Sequence, residues 1–294
     1  MSPSPSVPEA LGTLIERALA ADGQPPFSDQ SLVELARSER ELVEGEHGVA
    51  IVGGADREVE AELVVDPDAR GRGLGAALAE QVLAAHPDVE FAWAHGDHPA
   101  SRVLAARFGF LAVRTLLQLR AQVTADVSLR DALRAPQGTG TADDRPQMTA
   151  FDPGTDDAEW LALNARAFAD HPEQGKLTQR DLDDRKAEAW FDADDFLILR
   201  DGGAGGDAMI GFCWLKVDGD IGEFYAVGID PGRQGEGLGR VLMDAGLARL
   251  ASRGTRTAAL YVEADNTPAL ALYRRYGFEQ HTIDVRYRRG ALAD

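Results

Sequence analysis

One segment of this chain occurs twice, 164 positions apart, and that repetition limits the fold more than any other feature. Val65-Asp66-Pro67 is followed by Arg70-Gly71-Arg72-Gly73-Leu74-Gly75. Ile229-Asp230-Pro231 is followed by Gln234-Gly235-Glu236-Gly237-Leu238-Gly239-Arg240. The second copy is the easier to read. An apolar, β-branched run suits a buried strand. Asp230-Pro231-Gly232 breaks it, because Pro lacks a ladder N–H and Gly accepts turn geometry. From Leu238 the apolar spacing turns helical, through Val241, Leu242, Ala245 and Ala248, with Gly254 as the stop. The segment reads as strand, glycine-rich turn, helix. Each copy continues with a strand and a second helix that ends in Gly-Phe, at Gly109-Phe110 and Gly277-Phe278, 168 positions apart. A repeat of this length denotes two copies of a whole domain, not a solenoid. At 294 residues, each copy is large enough to bury roughly 70% of its unfolded surface.

A glycine-rich turn that feeds a helix leaves first-turn N–H groups without partners and adds the positive end of the helix dipole. Such a place cradles anions, phosphates above all. A triphosphate loop would end in Gly-Lys-Ser/Thr, and Gly239-Arg240-Val241 does not. A dinucleotide fingerprint fails too. Read from Gly235 it meets Arg240 at the third glycine, and read from Gly237 it meets Leu242.

Charge and composition narrow the partners. The formal net charge of −19 disfavours nucleic acid and anionic membranes, where phosphate neutralisation dominates binding. Arg70, Arg72, Arg233 and Arg240 make the two loops locally basic. Nearby donors outweigh distant charge when the Debye length is about 8 Å. No apolar run reaches the roughly 20 residues of a membrane span, and Ser2-Pro3-Ser4-Pro5 is no signal sequence. A cytoplasmic protein is expected. The single Cys213, within Ile210-Gly211-Phe212-Cys213-Trp214, reads as a small core residue. The six histidines lack ligand spacing, so no metal is expected.

In chain order, helices are expected over 7–21 and 28–36, and strands over 48–52 and 60–65. A helix over 73–85, a strand over 90–94, a helix over 101–107 and a long strand over 111–123 follow. The composition of 135–146 is that of a linker. It separates a first domain, 1–134, from a second, 147–294. The second opens with a helix over 155–168 and a loop at His171-Pro172-Glu173-Gln174-Gly175. Antiparallel strands over 196–200, 209–217 and 222–229 lead into the glycine turn. A strand over 258–262, a helix capped by Asn266 with Pro268 in its first turn, and a strand over 279–287 complete it.

The pattern Gln234-x-x-Gly237-x-Gly239, followed by Asn266-x-x-Ala269-x-x-x-Tyr273-x-x-x-Gly277-Phe278, resembles the coenzyme loop and the catalytic helix of the GCN5-related N-acetyltransferases (GNAT). The resemblance implies an α/β (α+β) fold of two tandem domains, each a mixed, mostly antiparallel sheet flanked by helices. It also implies acetyl-CoA as cosubstrate. In the second copy the coenzyme contacts would be Val227, Gly228, Ile229, Gln234, Gly235, Glu236, Gly237, Leu238, Gly239 and Arg240, then Asn266, Thr267, Pro268, Ala269, Leu270 and Ala271. In the first they would be Leu63, Val64, Val65, Gly71, Arg72, Gly73, Leu74, Gly75 and Ala76. Acetyl transfer to an amine needs a base for the ammonium proton, an acid for the leaving thiolate and an N–H for the oxyanion. The resemblance gives the base to Glu223 and the acid to Tyr273. In the first copy Ala105 stands for Tyr273, Asp97-His98-Pro99 for the asparagine cap, and Val59, between Glu58 and Glu60, for Glu223. That copy is expected to bind acetyl-CoA without catalysing.

Along its whole length the chain is similar to the mycothiol synthase family. The stretches that carry this are Phe27-Ser28-Asp29-Gln30, His171-Pro172-Glu173-Gln174-Gly175, Trp214-Leu215-Lys216, Gly222-Glu223-Phe224-Tyr225 and Leu260-Tyr261-Val262-Glu263-Ala264-Asp265-Asn266. The resemblance implies an enzyme that acetylates the cysteinyl amine of desacetylmycothiol, a thiol-bearing cysteinyl-glucosaminyl-inositol, and a monomer is expected. Substrate contacts would fall on Asp29, Glu173, Lys216, Glu223 and Tyr261. Carboxylates suit a cationic, polyhydroxylated ligand. Two other readings stay open at this point. One is a related enzyme acting on a protein N-terminus or a polyamine, and the other is an acetyl-CoA sensor without turnover, which would need neither Glu223 nor Tyr273.

Overall fold

The computed structural model describes residues 9–54, 58–123, 146–169, 174–202 and 207–290. The first half runs α1 (Glu9–Asp22), α2 (Asp29–Ala36), β1 (Arg40–Gly45), β2 (Gly48–Gly53), β3 (Glu60–Val65), α3 (Leu74–Ala85), β4 (Phe91–His95), α4 (Pro99–Arg107) and β5 (Phe110–Gln122). The second runs β6 (Gln147–Ala150), α5 (Asp157–Ala167), α6 (Gln179–Lys186), β7 (Phe196–Arg200), β8 (Met209–Asp218), β9 (Ile221–Ile229), α7 (Leu238–Ser252), β10 (Thr257–Glu263), α8 (Thr267–Arg275) and β11 (Glu279–Arg289). Most of the linker stretch, 135–145, lies outside the described residues.

The contacts divide the chain into two compact units. The first gathers Met1–Gln118, Glu263–Asp265 and His281–Asp294, and the second Leu119–Val262 and Asn266–Gln280.

In the first unit β1, β2 and β3 form an antiparallel meander, with Leu42 opposite Ile51 and Ala50 opposite Leu63. β4 lies parallel to β3. β11 then pairs antiparallel with β4, Val285 opposite Ala94 and Tyr287 opposite Ala92, and β5 follows beyond it. Side chains alternate across a strand, so this sheet buries both faces. On one, Leu78 and Val82 of α3 meet Ala50, Val52, Ala61, Val285 and Tyr287. On the other, Leu11 and Ala18 of α1 and Phe27 meet Ile51 and Val64.

The second unit has the order β10-β9-β8-β7-β6. β6 to β9 are antiparallel and β10 is parallel to β9. Its aromatic core is packed by geometry as well as area. Phe196 stacks on Trp214 with centroids 4.3 Å apart, and Trp160 of α5 meets Trp214 edge-on at 5.5 Å. Such pairs add about 0.5–1.5 kcal/mol each beyond their burial. The opposite face carries α7, whose Leu242, Met243, Ala245 and Leu250 are all buried. Cys213 is buried and unpaired, as a core residue.

Both units are therefore mixed sheets with helices on each face, the expected fold class. Among the described residues no helix is long and apolar enough to cross a membrane, and no group of three or more His, Cys, Asp or Glu side chains could hold a metal ion.

Candidate active site

The two glycine turns have the same backbone. Gly71 and Gly73 have φ of 77° and 82°, and Gly235 and Gly237 have 84° and 81°. These are left-handed values, which glycine takes without strain. Gly73 and Gly237 are the N-caps of α3 and α7, and neither helix has a side-chain cap. The Ala76 and Arg240 N–H groups bond back to the Gly73 and Gly237 carbonyls at 3.1 and 3.0 Å, so the first-turn donors left for a ligand are those of Leu74 and Gly75, and of Leu238 and Gly239. The next glycine of each turn serves packing instead. A methyl group on Gly75 would lie 3.6 Å from Val65 and 3.6 Å from Leu104, and one on Gly239 3.4 Å from Ile229 and 3.4 Å from Leu272. In each unit the helix therefore sits tight between the strand before it and the helix after the next strand.

The loops are less basic than their composition. Arg70 makes a two-pronged pair with Asp22 at 2.7 and 2.8 Å and holds that carboxyl below its ordinary range. Arg233 is held by Glu236 at 2.9 Å and Asp201 at 2.5 Å. Two of the four arginines that the sequence places at the loops are thus neutralised. For an anion there remain the backbone donors and the side chains of Arg72 and Arg240.

Strand β9 shapes the second unit's site. Against β8 its register runs Ile221↔Asp218 to Phe224↔Leu215, then resumes at Ala226↔Trp214. Tyr225 is the extra residue of a β-bulge. The neighbours show what the bulge does. Methyl groups on Gly222 and Gly246 would run into Leu250 and Phe224 respectively, so Gly222 and Phe224 face α7. Tyr225 packs on Trp214 and Trp190, and Ala226 lies in the Trp160 core, both on the α5 side. Ile229 reaches Gly239, back on the α7 side. Without the bulge Glu223 would share a face with Ile229. With it, Glu223 turns to the α5 face.

That face collects three sequence-predicted residues. Lys216 is directly opposite Glu223 on β8, and its ammonium lies 5.6 Å from the Trp190 ring centre. Ala259 of β10 pairs with Glu223, so strand alternation puts Tyr261, 43% exposed, on the same face. Sequence reasoning missed two residues here: Trp190, and Arg185, which donates to the Tyr225 hydroxyl at 2.9 Å.

The parallel pairing of β9 with β10 ends at Leu260↔Phe224, immediately before the bulge. Beyond it β9 contributes Val227, Gly228 and Ile229 with no β10 partner. In the first unit β3 pairs with β4 only through Glu60↔Phe91 and Ala61↔Ala92, which leaves Leu63, Val64 and Val65 likewise. Each unit thus has an open strand edge leading to an uncapped helix N-terminus, a geometry that fits an extended chain ending in a pyrophosphate.

Across the slot stands α8. Asn266 is its N-cap and accepts from the Ala269 N–H at 3.2 Å, with Pro268 in the first turn. Tyr273 lies against Phe278, centroids 6.0 Å apart. Burial, with Cys213 nearby, pushes its hydroxyl up to about 12. It stays protonated at any physiological pH.

The bulge corrects one correspondence. A constant spacing pairs Glu223 with Val59. Yet Glu60 pairs with Phe91 as Glu223 pairs with Ala259, and β3 has no bulge. Glu60 therefore occupies the Glu223 position, and the first unit does carry the carboxylate. It is pinned by Arg40 at 2.9 Å, by Arg286 at 3.4 Å and by the Trp93 indole N–H at 3.1 Å. The Arg286 guanidinium itself lies 3.8 Å from the Phe91 ring centre. Ala105 does stand where the second unit has Tyr273, because Leu104 meets Gly75 as Leu272 meets Gly239.

Asp29 belongs to the first unit, in the first turn of α2 behind the N-cap Ser28. Glu173 lies outside the described residues. The loop that follows it is anchored by Asn164, whose amide donates to the Gln174 carbonyl at 2.6 Å and accepts from the Gln174 side chain at 3.1 Å.

The sequence model of the acetyltransferase (GNAT) family matches residues 24–110 and 160–278. This chain belongs to that family. Its members use acetyl-CoA. The chain is 46% identical to a mycothiol acetyltransferase of Clavibacter sepedonicus, over 98% of this chain and 94% of that one. It is 47% identical to one of Streptomyces avermitilis, over 97% and 92%. Among solved structures, a tandem GNAT protein from the clavulanic acid biosynthesis pathway aligns over 97% of this chain and 96% of its own, with a TM-score of 0.67 and 18% identity. That likeness supports the fold alone.

Proposed function

We propose that this acetyltransferase moves the acetyl group of acetyl-CoA to the cysteinyl amine of desacetylmycothiol and so completes mycothiol. The observation that carries the reading is the 46% identity to a mycothiol acetyltransferase along nearly both full lengths. A second unit with base, acid and coenzyme slot supports it.

The reaction uses this chain's groups as follows. Glu223, alone or through a water, takes the proton of the acceptor's ammonium and frees its lone pair for the acyl carbon. The N–H groups of β9 beyond the bulge face the developing oxyanion. Tyr273 gives its proton to the sulfur as the C–S bond breaks, and the second proton that the attacking nitrogen sheds to become the amide restores the tyrosine hydroxyl. Acetyl-CoA supplies the activated acyl group. Its pyrophosphate would be held by Gln234, Gly235, Glu236, Gly237, Leu238, Gly239 and Arg240, and its chain by Val227 to Ile229 and the start of α8. Lys216, Tyr261 and Glu173 would contact the acceptor. The N-terminal domain proposed from the sequence, 1–134 ahead of the 135–146 linker and the 147–294 domain, would hold acetyl-CoA at Leu63 to Val65 and Gly71 to Ala76 without turnover, because Glu60 is paired and Ala105 offers no acid. We assign the protein to the cytoplasm, as a monomer with no metal and no nucleic-acid or membrane partner.

The test is acetylated product measured by mass with desacetylmycothiol, an alanyl-starting peptide and spermidine. Fast turnover of desacetylmycothiol alone supports the reading. Turnover of the peptide or spermidine instead would keep the chemistry and discard the substrate.

A further inference from the structure

We propose that Tyr276 is a positioning residue for this reaction, tying the helix that carries the acid to the helix that carries the pyrophosphate cradle. The inference rests on the acetyl-transfer reading above.

Tyr276 stands just past the end of α8, one helical turn beyond Tyr273. Its hydroxyl donates to the Asp244 carboxylate at 2.7 Å and lies 3.1 Å from the Arg240 carbonyl. Both acceptors belong to the first two turns of α7, directly behind Gly237 and Gly239. A hydrogen bond to a charged group is about twice as strong as a neutral one. One side chain therefore fixes how α8 is seated on the α7 N-terminus, and with it where the Tyr273 hydroxyl stands relative to an anion held by that N-terminus.

The molecule contains its own control. In the first unit the 168 spacing puts Phe108 at this position, and the 164 spacing puts Glu80 at that of Asp244. Phe108 has no hydroxyl, yet Leu104 of α4 still closes on Gly75 of α3. Packing of the helix pair does not need the bridge. The unit that has the bridge is the one that also has Tyr273.

The experiment uses the full chain with Tyr276→Phe, the residue the first unit already tolerates. Hydrogen exchange of residues 270–275 is followed with and without coenzyme A, which needs no turnover. We expect wild type to gain protection on coenzyme binding and the variant to gain little. With acetyl-CoA and desacetylmycothiol, kcat should fall about tenfold while KM for acetyl-CoA moves less than about threefold, as for a misplaced group. In a Tyr273→Phe background the same change should cost less than about twofold, because coupled residues are not additive. Asp244→Leu should behave like Tyr276→Phe, and Asp244→Asn, which keeps an acceptor, should lose less. Wild-type exchange protection in Tyr276→Phe, or the same loss in both backgrounds, would overturn the proposal. A wild-type enzyme that ignores desacetylmycothiol would count against the acceptor alone, and the exchange experiment would still decide the tie.

Discussion

Removing one hydroxyl, by Tyr273→Phe, tests the chemistry most directly. The structure sets the terms. The Tyr273 hydroxyl is pushed up to about 12, whereas an ordinary thiol has a pKa near 8.5. Handing a proton from the first to the second would be uphill by roughly 3.5 units, on the order of 5 kcal/mol. Shielding from water would narrow that mismatch. Burial drives the thiol of Cys213, close enough to perturb Tyr273, far above its ordinary value. A departing thiolate held away from water beside Tyr273 would have its proton affinity raised in the same direction. General acid catalysis is then worth about 10²- to 10⁴-fold, and the phenyl ring that the substitution leaves would preserve the packing on Phe278. We expect kcat to fall by about 10²-fold or more, with acetyl-CoA affinity changed little. The assay is mass-detected product under single-turnover conditions, with coenzyme binding measured separately by calorimetry. A Tyr273→Phe enzyme within threefold of wild-type kcat would refute the argument. So would a wild-type alkaline limb near pH 9 assigned to this tyrosine.

Glu223→Gln should lower turnover by about 10²-fold or more and leave coenzyme binding intact, as read by the same two assays. Gly246→Ala would drive a methyl group into the Phe224 ring and to 3.0 Å from the Cys213 sulfur, and should cost about 1–3 kcal/mol in urea unfolding. Gly237→Ala puts an L-residue at φ 81°, a strain of about 1–2 kcal/mol, and should weaken coenzyme A binding in calorimetry. The last prediction concerns His95, buried between Asp284 at 3.3 Å and Glu62 at 3.4 Å. Burial alone would lower its pKa, but the two carboxylates beside it, Asp284 and Glu62, outweigh that and raise it to about 10. A raised pKa stabilises fully below the unfolded value near 6.5 and is lost as pH climbs through 10. Thermal unfolding of the wild type should therefore fall between pH 7 and 10, and His95→Gln should flatten that slope.

What could be read from sequence was what repeats or what caps. The glycine turns, the Asn266 cap, the antiparallel run of β7 to β9 and the double fold all carry local signals. Three elements were missed. β1, Arg-Glu-Leu-Val-Glu-Gly, lacks clean alternation, and β6 is four residues of half-exposed edge. α6 has one buried residue, Leu182, so no apolar stripe betrays it, although the Thr178–Asp181 capping box does. The site was half legible. Its residue types were visible, but their facing was not. The Tyr225 bulge is set by how β9 fits β8, and no residue type announces it. For that reason a constant spacing led to Val59 when the true counterpart is Glu60. Nor does sequence say that Glu60 is held by Arg40 and Arg286.

β11 has a consequence for biosynthesis. It pairs with β4, and Asp284, Arg286 and Arg288 reach His95, Glu58 and Glu90 within the first unit. A ribosome finishes β4 at His95 and does not begin β11 until Glu279, 184 residues later. At 5–20 residues per second that is a wait of roughly 10–40 s. Through that interval the nascent first unit exposes the edge of β4 and leaves His95 without one of its two carboxylates. The half that is made first is thus the half that folds last, and a chain cut short after Phe278 would be damaged chiefly in the unit its missing residues lie furthest from in sequence.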